Sequence, residues 1–305
     1  MNILVTGGSG FIGSRLIRCL LQNNSYRVIS IDKVTSNSAS SANFEEYIGS
    51  YLDSHVTHNI LARVDIVIHL AGFLGVDNCE SNPKDTLDIN GIHSCIFFES
   101  CKRHSNIRRV LYTSSSEVYG DAINVDENAV PSPKSRYAIA KLFSESYLHS
   151  LASDNFKTMS FRLFSIYGFG QRPDFVIPTF VTQAIQKRPI TVFGDGSQIR
   201  AFCHVTDAIQ AIMLAISCKL KSDSIIFNIG NDSQPITMRQ LAEQTCTLFK
   251  LDPLKYITYT PLKETKRGVD REVYKRVPNI SQARRILKYE PKVSLIDGLS
   301  EYKDQ

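Results

Sequence analysis

Tyr137 and Lys141 stand four residues apart in Tyr137-Ala138-Ile139-Ala140-Lys141, a spacing that puts both side chains on one face of a helix. A phenol with an ordinary pKa of about 10 is a poor base. An ammonium beside it favours the phenolate. The phenolate can then take the proton of a hydroxyl while hydride leaves the same carbon. Upstream, Arg109–Thr113 reads as a buried strand that runs out into Ser114-Ser115-Ser116-Glu117-Val118-Tyr119-Gly120. A serine hydroxyl at such a strand end can hold the reacting oxygen.

Hydride needs an acceptor, and the start of the chain offers a place for one. The short strand Ile3–Thr6 enters Gly7-Gly8-Ser9-Gly10-Phe11-Ile12-Gly13, and helical spacing continues over Phe11–Leu21. Gly7 permits a tight turn, Gly10 lets backbone approach a pyrophosphate, and Gly13 lets the helix sit against the strand. The helix N-terminus adds N–H groups and a favourable dipole. Asp32 comes directly after the next strand, Arg27–Ile31, about 20 residues beyond the last glycine. A carboxylate there accepts from both ribose hydroxyls of NAD and repels the 2′-phosphate of NADP. Lys33 beside it softens that preference. The expected cofactor is NAD.

The elements that must position these residues alternate along the first half. Val64–Leu70 and Arg109–Thr113 read as buried strands with a helix over Thr86–Arg103 between them. A helix over Tyr137–Leu151 and a strand over Thr158–Phe164 come next. Strands separated by helices predict α/β architecture with a doubly wound parallel sheet. After Gly168, Pro and Gly punctuate the chain and the texture becomes irregular. We therefore expect residues 1–168 to form the dinucleotide-binding domain and residues 169–305 mainly a smaller substrate-binding cap of α+β type. Val205–Ser217 is a clean amphipathic helix, so about 203–229 should return to the sheet.

Composition fits this picture. The chain has 305 residues, 43% hydrophobic and 21% charged, which excludes disordered and low-complexity classes. Apolar runs are short and broken by charge, so no membrane span is expected. The N-terminus reads as no signal peptide. Seven cysteines without a C-x-x-C pair suit reduced thiols in the cytoplasm, and no Cys/His spacing suggests a metal site. The net charge is +5, concentrated in residues 263–292, where ten Lys/Arg face four acids. That segment suits a phosphate-bearing small ligand. Apart from Tyr274 and Tyr289 it lacks interleaved aromatics, so nucleic acid is not expected.

The motifs TGGSGFIGS, HLAG (His69–Gly72), Asn82-Pro83, Asn90, SSSEVYGD, YAIAK, FRLFSIYGFGQRP, ITVFGDGSQIRAFCHVTDA and RVPNISQARRIL occur in that order. Together they resemble the extended short-chain dehydrogenases/reductases, in particular the NAD-dependent nucleotide-sugar epimerase/dehydratase family, over nearly the whole chain. The resemblance implies a Rossmann domain with a cap. It places Ser115, Tyr137 and Lys141 on the catalytic positions, with Glu117 beside them. It implies cofactor contacts at Gly7, Ser9, Gly10, Phe11, Ile12, Gly13, Asp32, Lys33, Ser50, Tyr51, Leu70, Ala71, Gly72, Asn90 and Thr113, with Tyr137 and Lys141. It implies substrate contacts at Ser116, Ser165, Val176, Ile177, Phe193, Arg200 and Arg276. Ser165 stands where the family often has Asn, Phe169 where it usually has Pro, and Ser50 where an acidic adenine contact is common. A homodimer is implied as well, through a four-helix bundle of Asp88–Arg103 and Ser135–Ser153 with apolar residues such as Ile92, Ile96, Phe97, Leu142, Phe143 and Leu148.

Members of the family first oxidise a sugar carbinol, usually at C4, and differ in the fate of the keto sugar. A 4-epimerase returns hydride to the other face. A 4,6-dehydratase removes the C5 proton and expels water. A decarboxylase acts on a uronic acid and lets the ketone drain the carboxylate's electrons. Glu117 resembles the dehydratase and decarboxylase patterns, whereas the loop Phe73–Ser81 does not look decarboxylase-like. The expectation is a nucleoside-diphosphate sugar, UDP-hexose by default, with 4-epimerase and 4,6-dehydratase level and a UDP-glucuronate-type decarboxylase behind them. Polysaccharide biosynthesis is the implied setting. The alternative of another class is a non-catalytic NAD-binding sensor or scaffold. Such proteins usually lack the Tyr or the Lys, and both are present here.

Overall fold

The structure is a computed structural model that describes residues 1–36, 41–123, 125–264 and 273–303. Six strands lead the fold: β1 (Asn2–Thr6), β2 (Arg27–Asp32), β3 (Phe44–Ile48), β4 (Ile66–His69), β5 (Arg109–Ser115) and β6 (Lys157–Leu163). With the strand Ser224–Ile229 they form a seven-stranded sheet in the order Ser224–Ile229, β6, β5, β4, β1, β2, β3. Every pairing is parallel; Leu4, for example, lies between Ile29 and Val67. Parallel strands are covered on both faces, which is why they read as continuous apolar runs.

Side chains alternate across the sheet. Ile3, Val5, Ile66 and Ile68 join one core, closed by the helices Phe11–Leu21 and Val205–Ser217. Leu4, Ile29, Ile31 and Val67 join the other, closed by Ser54–Leu61 and His93–Lys102. The amphipathic helix Val205–Ser217 thus packs on the sheet as its pattern predicts. Arg109 at the start of β5 donates to the carbonyls of Ala215, Ile216 and Cys218, satisfying the end of that helix. The connection between β1 and β2 and the crossover to β4 run to opposite sides of β1. That switch point opens a crevice at the strands' C-terminal ends, where ligands bind in such sheets.

Among the elements that the sequence does not announce are β3 and the helix Ser54–Leu61. β3 is the sheet's last strand, with four partly buried residues and an exposed fifth, so its apolar signal is weak. The helix expected over Thr86–Arg103 is not uniform. It runs as Pro83–Leu87, a wide π-helical turn over Asp88–Ile92, and then His93–Lys102. Wide turns of this kind concentrate at functional sites, and this one carries Asn90.

The cap holds the helices Val176–Ile185 and Met238–Leu248 around a core of Ile177, Phe180, Val192, Phe202, Leu241 and Leu295. Its strands pair in small sets: Ile190–Phe193 with Ile257–Thr260, and Ile199–Ala201 with Pro235–Thr237 and Lys275–Arg276. The closing helix Leu295–Ser300 is short. Among the described residues no helix is long and apolar enough to cross a membrane, and no group of His, Cys, Asp or Glu could hold a metal ion. Of the basic residues from 263 to 292, Lys266, Arg267 and Arg271 lie outside the described residues.

Candidate active site

The phosphate loop is built by close approach. Gly7 has φ +73, and a Cβ there would sit 2.7 Å from the Ala71 backbone nitrogen. A Cβ at Gly13 would come within 2.1 Å of the Gly7 carbonyl, so strand and helix touch only because both residues are glycine. Gly10 is the N-cap of Phe11–Leu21 and brings no side-chain acceptor, which leaves first-turn N–H groups in need of an external one. Asp32 closes this loop: its carboxylate accepts from Ser9 N at 2.9 Å and from Lys33 N at 2.6 Å. A cradle that side chains would fill, an uncapped helix start and an acid at the end of β2 together fit a dinucleotide such as NAD.

Other residues expected at the cofactor lie around the same crevice. Leu70, Ala71 and Gly72 come after β4, and Leu70 N donates to Thr6 O. Phe11 takes Arg15 over its ring, and Ile12 packs on the sheet's core. Tyr51 meets His69 edge-on, with ring centroids 5.1 Å apart, while Ser50 accepts from Leu52 N. Buried His69 is itself fixed between Thr6 Oγ1 at 2.7 Å and Ser94 Oγ at 3.1 Å, and burial lowers its pKa to about 3, keeping it neutral. Asn90, turned inward by the π turn, bonds both Phe73 N and Phe73 O at 2.9 Å.

The residues expected to be catalytic come together where β5 meets the helix Arg136–Ser150. Ser115 ends β5 and lies near enough to the Tyr137 phenol to pull its pKa down. Lys141 is buried, donates to Thr113 O at 2.8 Å and sits 4.6 Å from the Tyr112 ring centroid. Gly72 lies beside it: a Cβ there would stand at an ordinary contact distance of 3.6 Å from Lys141 Nζ but only 2.9 Å from Asn90 Oδ1, so the missing side chain makes room for Asn90. Desolvation lowers the Lys141 pKa to about 7, against the opposing pull of Cys79 and Glu145. Desolvation also pushes the Tyr137 phenol up, more than Ser115 pulls it down. The lowered phenol pKa that a Tyr–Lys pair leads one to expect is therefore not seen at Tyr137. Lys141 is aimed at Thr113.

Glu117 is not an isolated carboxylate. The Arg276 guanidinium grips it at two points, Nη1 to Oε1 and Nη2 to Oε2, the latter at 3.3 Å. Arg276 pairs in register with Arg200, so both cap arginines expected at the substrate stand side by side. Ser116, next to Ser115, is buried. Ser165 adopts φ 42, a left-handed conformation in which Asn is favoured over Ser, and its carbonyl accepts from Cys203 N. Val176 opens the cap helix Val176–Ile185 and Phe193 ends its strand half-exposed. Ile177 is sealed in the cap core, so any ligand contact it makes is through backbone.

Sequence reasoning missed residues that hold this cluster. Glu145, one turn beyond Lys141, forms a fully buried ion pair with Arg162 of β6, which lies over the Tyr119 ring. The spacing of Glu145 from Lys141 was the available signal. Glu80, which pairs with Arg136 directly before Tyr137, is another, and no local pattern marks it.

A family model described as the NAD dependent epimerase/dehydratase family matches residues 3–230. The chain is 31% identical to an uncharacterised UDP-glucose epimerase, YtcB, of Bacillus subtilis, over 98% of this chain and 96% of that protein. It is 32% identical to UDP-glucuronic acid decarboxylase 6 of Arabidopsis thaliana, over 98% of this chain and 87% of that protein. The structure of UDP-glucuronic acid 4-epimerase from Bacillus cereus in complex with UDP-glucuronic acid and NAD superposes with a TM-score of 0.90 at 29% identity, covering 99% of this chain and 98% of that one. The relatives match over nearly the whole chain and the family model over a stretch that takes in the phosphate loop, Ser115, Tyr137 and Lys141, and the chain belongs to the NAD-dependent epimerase/dehydratase family.

Proposed function

We propose that the protein is an NAD-dependent 4-epimerase of a UDP-hexuronic acid, acting through transient oxidation at C4. The observation that carries this is the Glu117–Arg276 pair. Glu117 spends its lone pairs on a guanidinium, so taking a C5 proton would require the pair to open. That disfavours the 4,6-dehydratase reading. Arg276 gives Glu117 one N–H from each Nη, and its remaining N–H groups suit a second carboxylate, the group that distinguishes a hexuronic acid from a hexose. Bound NAD supplies the hydride acceptor. Tyr137 takes the C4 hydroxyl proton, Ser115 holds the oxygen, and Lys141 with Asn90 shapes the wall beside them.

A second reading, decarboxylation, is favoured by the Glu117 charge itself. Set near the substrate carboxylate of a 4-keto acid, it would raise that group's energy and ease loss of CO2. The test is incubation with UDP-glucuronic acid, UDP-glucose and a thymidine-diphosphate hexose, read by mass and NMR. An isomer of unchanged mass from UDP-glucuronic acid is the expected product. Loss of CO2 would select the decarboxylase, and loss of water the dehydratase.

The same proposal extends to assembly and setting. Ile92, Ile96, Ile139 and Phe143 are each about half exposed, at 50%, 52%, 49% and 51%, on adjoining helices. Covering them with the same surface of a second copy gives a C2 homodimer through a four-helix bundle. Phe97 and Leu148, which the sequence reading assigned to that face, are buried against the sheet instead. We place the work in the cytoplasm, consistent with seven unpaired cysteines, and the product in polysaccharide biosynthesis. Residues 1–168 then act as the cofactor domain and 169–305 mainly as the substrate cap.

A further inference from the structure

The helix that carries Tyr137 begins at Arg136, and its first N–H does not find its acceptor locally. Ser135, the N-cap, accepts from Ala138 N with its hydroxyl and from Ile139 N with its carbonyl. The Arg136 N–H goes instead to Glu80 Oε1 at 2.8 Å, a residue 56 positions away. The Arg136 guanidinium returns to the same residue, with Nη1 at 2.8 Å from Glu80 Oε2 and 2.9 Å from the Glu80 carbonyl. A carboxylate at a helix N-terminus is favoured by the dipole as well as by the hydrogen bond.

Glu80 is delivered by a segment that is fixed at several points. Phe73 is bonded through both its N–H and its carbonyl to Asn90. The Leu74 carbonyl accepts from Arg172 Nη1 of the cap at 3.0 Å. The Cys79 carbonyl accepts from Thr86 Oγ1 at 2.9 Å. Gly72, where the segment begins, lies beside Lys141, its Cβ position 3.6 Å from Lys141 Nζ. One stretch, residues 72–81, therefore borders Lys141 at one end and grips the first turn of the Tyr137 helix at the other.

We infer that Glu80 is a positioning residue for the reaction: by accepting the Arg136 N–H it fixes the helix turn that sets the Tyr137 phenol against Ser115. This rests on the reading of Tyr137 as proton acceptor. An exposed ion pair alone would contribute little, about 0–1 kcal/mol. The consequence lies in geometry, because small misplacements of a reacting group can cost about 10²-fold in rate.

The test compares Glu80→Ala, Glu80→Gln and Tyr137→Phe, assayed with NAD and the nucleotide sugar that the unaltered protein converts. Glu80→Ala should lower kcat about 10-fold to 10²-fold, with KM for the sugar and the dissociation constant for NAD nearly unchanged. Glu80→Gln keeps an oxygen that can accept from Arg136 N, and should recover most of kcat. A kcat within twofold for Glu80→Ala, beside an inactive Tyr137→Phe, overturns the inference alone. Equal losses in kcat, NAD affinity and melting temperature would also overturn it, as would a Gln variant no better than Ala. Full activity of Tyr137→Phe would instead overturn the reading beneath it.

Discussion

Glu117 and Arg276 are 159 residues apart in sequence and face each other as a two-point ion pair beside Ser115, one from the end of β5 and the other from the cap. The pair closes the site across the two halves of the chain. Arg276→Met should cut the preference for UDP-glucuronic acid over UDP-glucose about 10-fold to 10²-fold, the scale of a lost charged hydrogen bond. Glu117→Gln separates the reactions. Epimerisation should continue with little change, whereas chemistry at C5 would stall after C4 oxidation and let a keto sugar accumulate. Competition assays and NMR of the product mixture read both outcomes.

Asp32 bears on cofactor choice. Its oxygens hold Ser9 N and Lys33 N, and we propose that the same carboxylate meets the adenosine ribose of NAD. Asp32→Ala should weaken NAD binding by about 1–3 kcal/mol and narrow the gap to NADP. Titration of both dinucleotides by calorimetry checks this. Tighter binding of NADP by the unaltered protein would contradict the assignment.

Much of this was legible because local rules and tertiary needs agree. The glycine loop is read from sequence since each glycine answers a contact: Gly13 against Gly7 O, Gly7 against Ala71 N. The Tyr137–Lys141 spacing reads as a shared helix face, and the helix Arg136–Ser150 supplies it. What stayed hidden depends on partners distant in sequence. Nothing near Glu117 announces Arg276, and nothing near Arg136 announces Glu80. The π turn at Asp88–Ile92 shifts Asn90 inward without altering the apolar period enough to be seen. Phe97 and Leu148 look like bundle residues in sequence and turn out to serve the sheet, because one helix presents apolar residues on two faces.

The exposed apolar face offers a direct test of assembly. A charge at Phe143, at the middle of that face, would be buried without a partner in the dimer and solvated in the monomer. Phe143→Glu should therefore shift the protein to monomer in sedimentation at micromolar concentration. The fold should survive, since Phe143 is half exposed in the single chain. A dimer unaffected by Phe143→Glu would place the interface elsewhere, and a monomeric unaltered protein would remove the proposal.

Lys141 links catalysis to stability in a way that pH can separate. In the unfolded chain its amine keeps the ordinary value of 10.5, while in the folded protein desolvation lowers it to about 7. Between those values the unfolded state binds one more proton, so this group makes stability rise with pH across that window. Below pH 7 both states are charged and the whole cost of burying the ammonium is present. Lys141→Met removes that cost while filling the space. Its melting temperature should exceed that of the unaltered protein most at pH 6, with the gain fading toward pH 10. The same variant loses the ammonium beside the cofactor site, so its rate of C4 oxidation should fall by about 10²–10⁴, as should that of Tyr137→Phe. A variant that is stabilised at low pH yet inactive is what a charge retained for chemistry rather than folding requires. A pH-independent difference in melting temperature would show that Lys141 ionises normally, and full activity of Tyr137→Phe would remove the phenol from the mechanism.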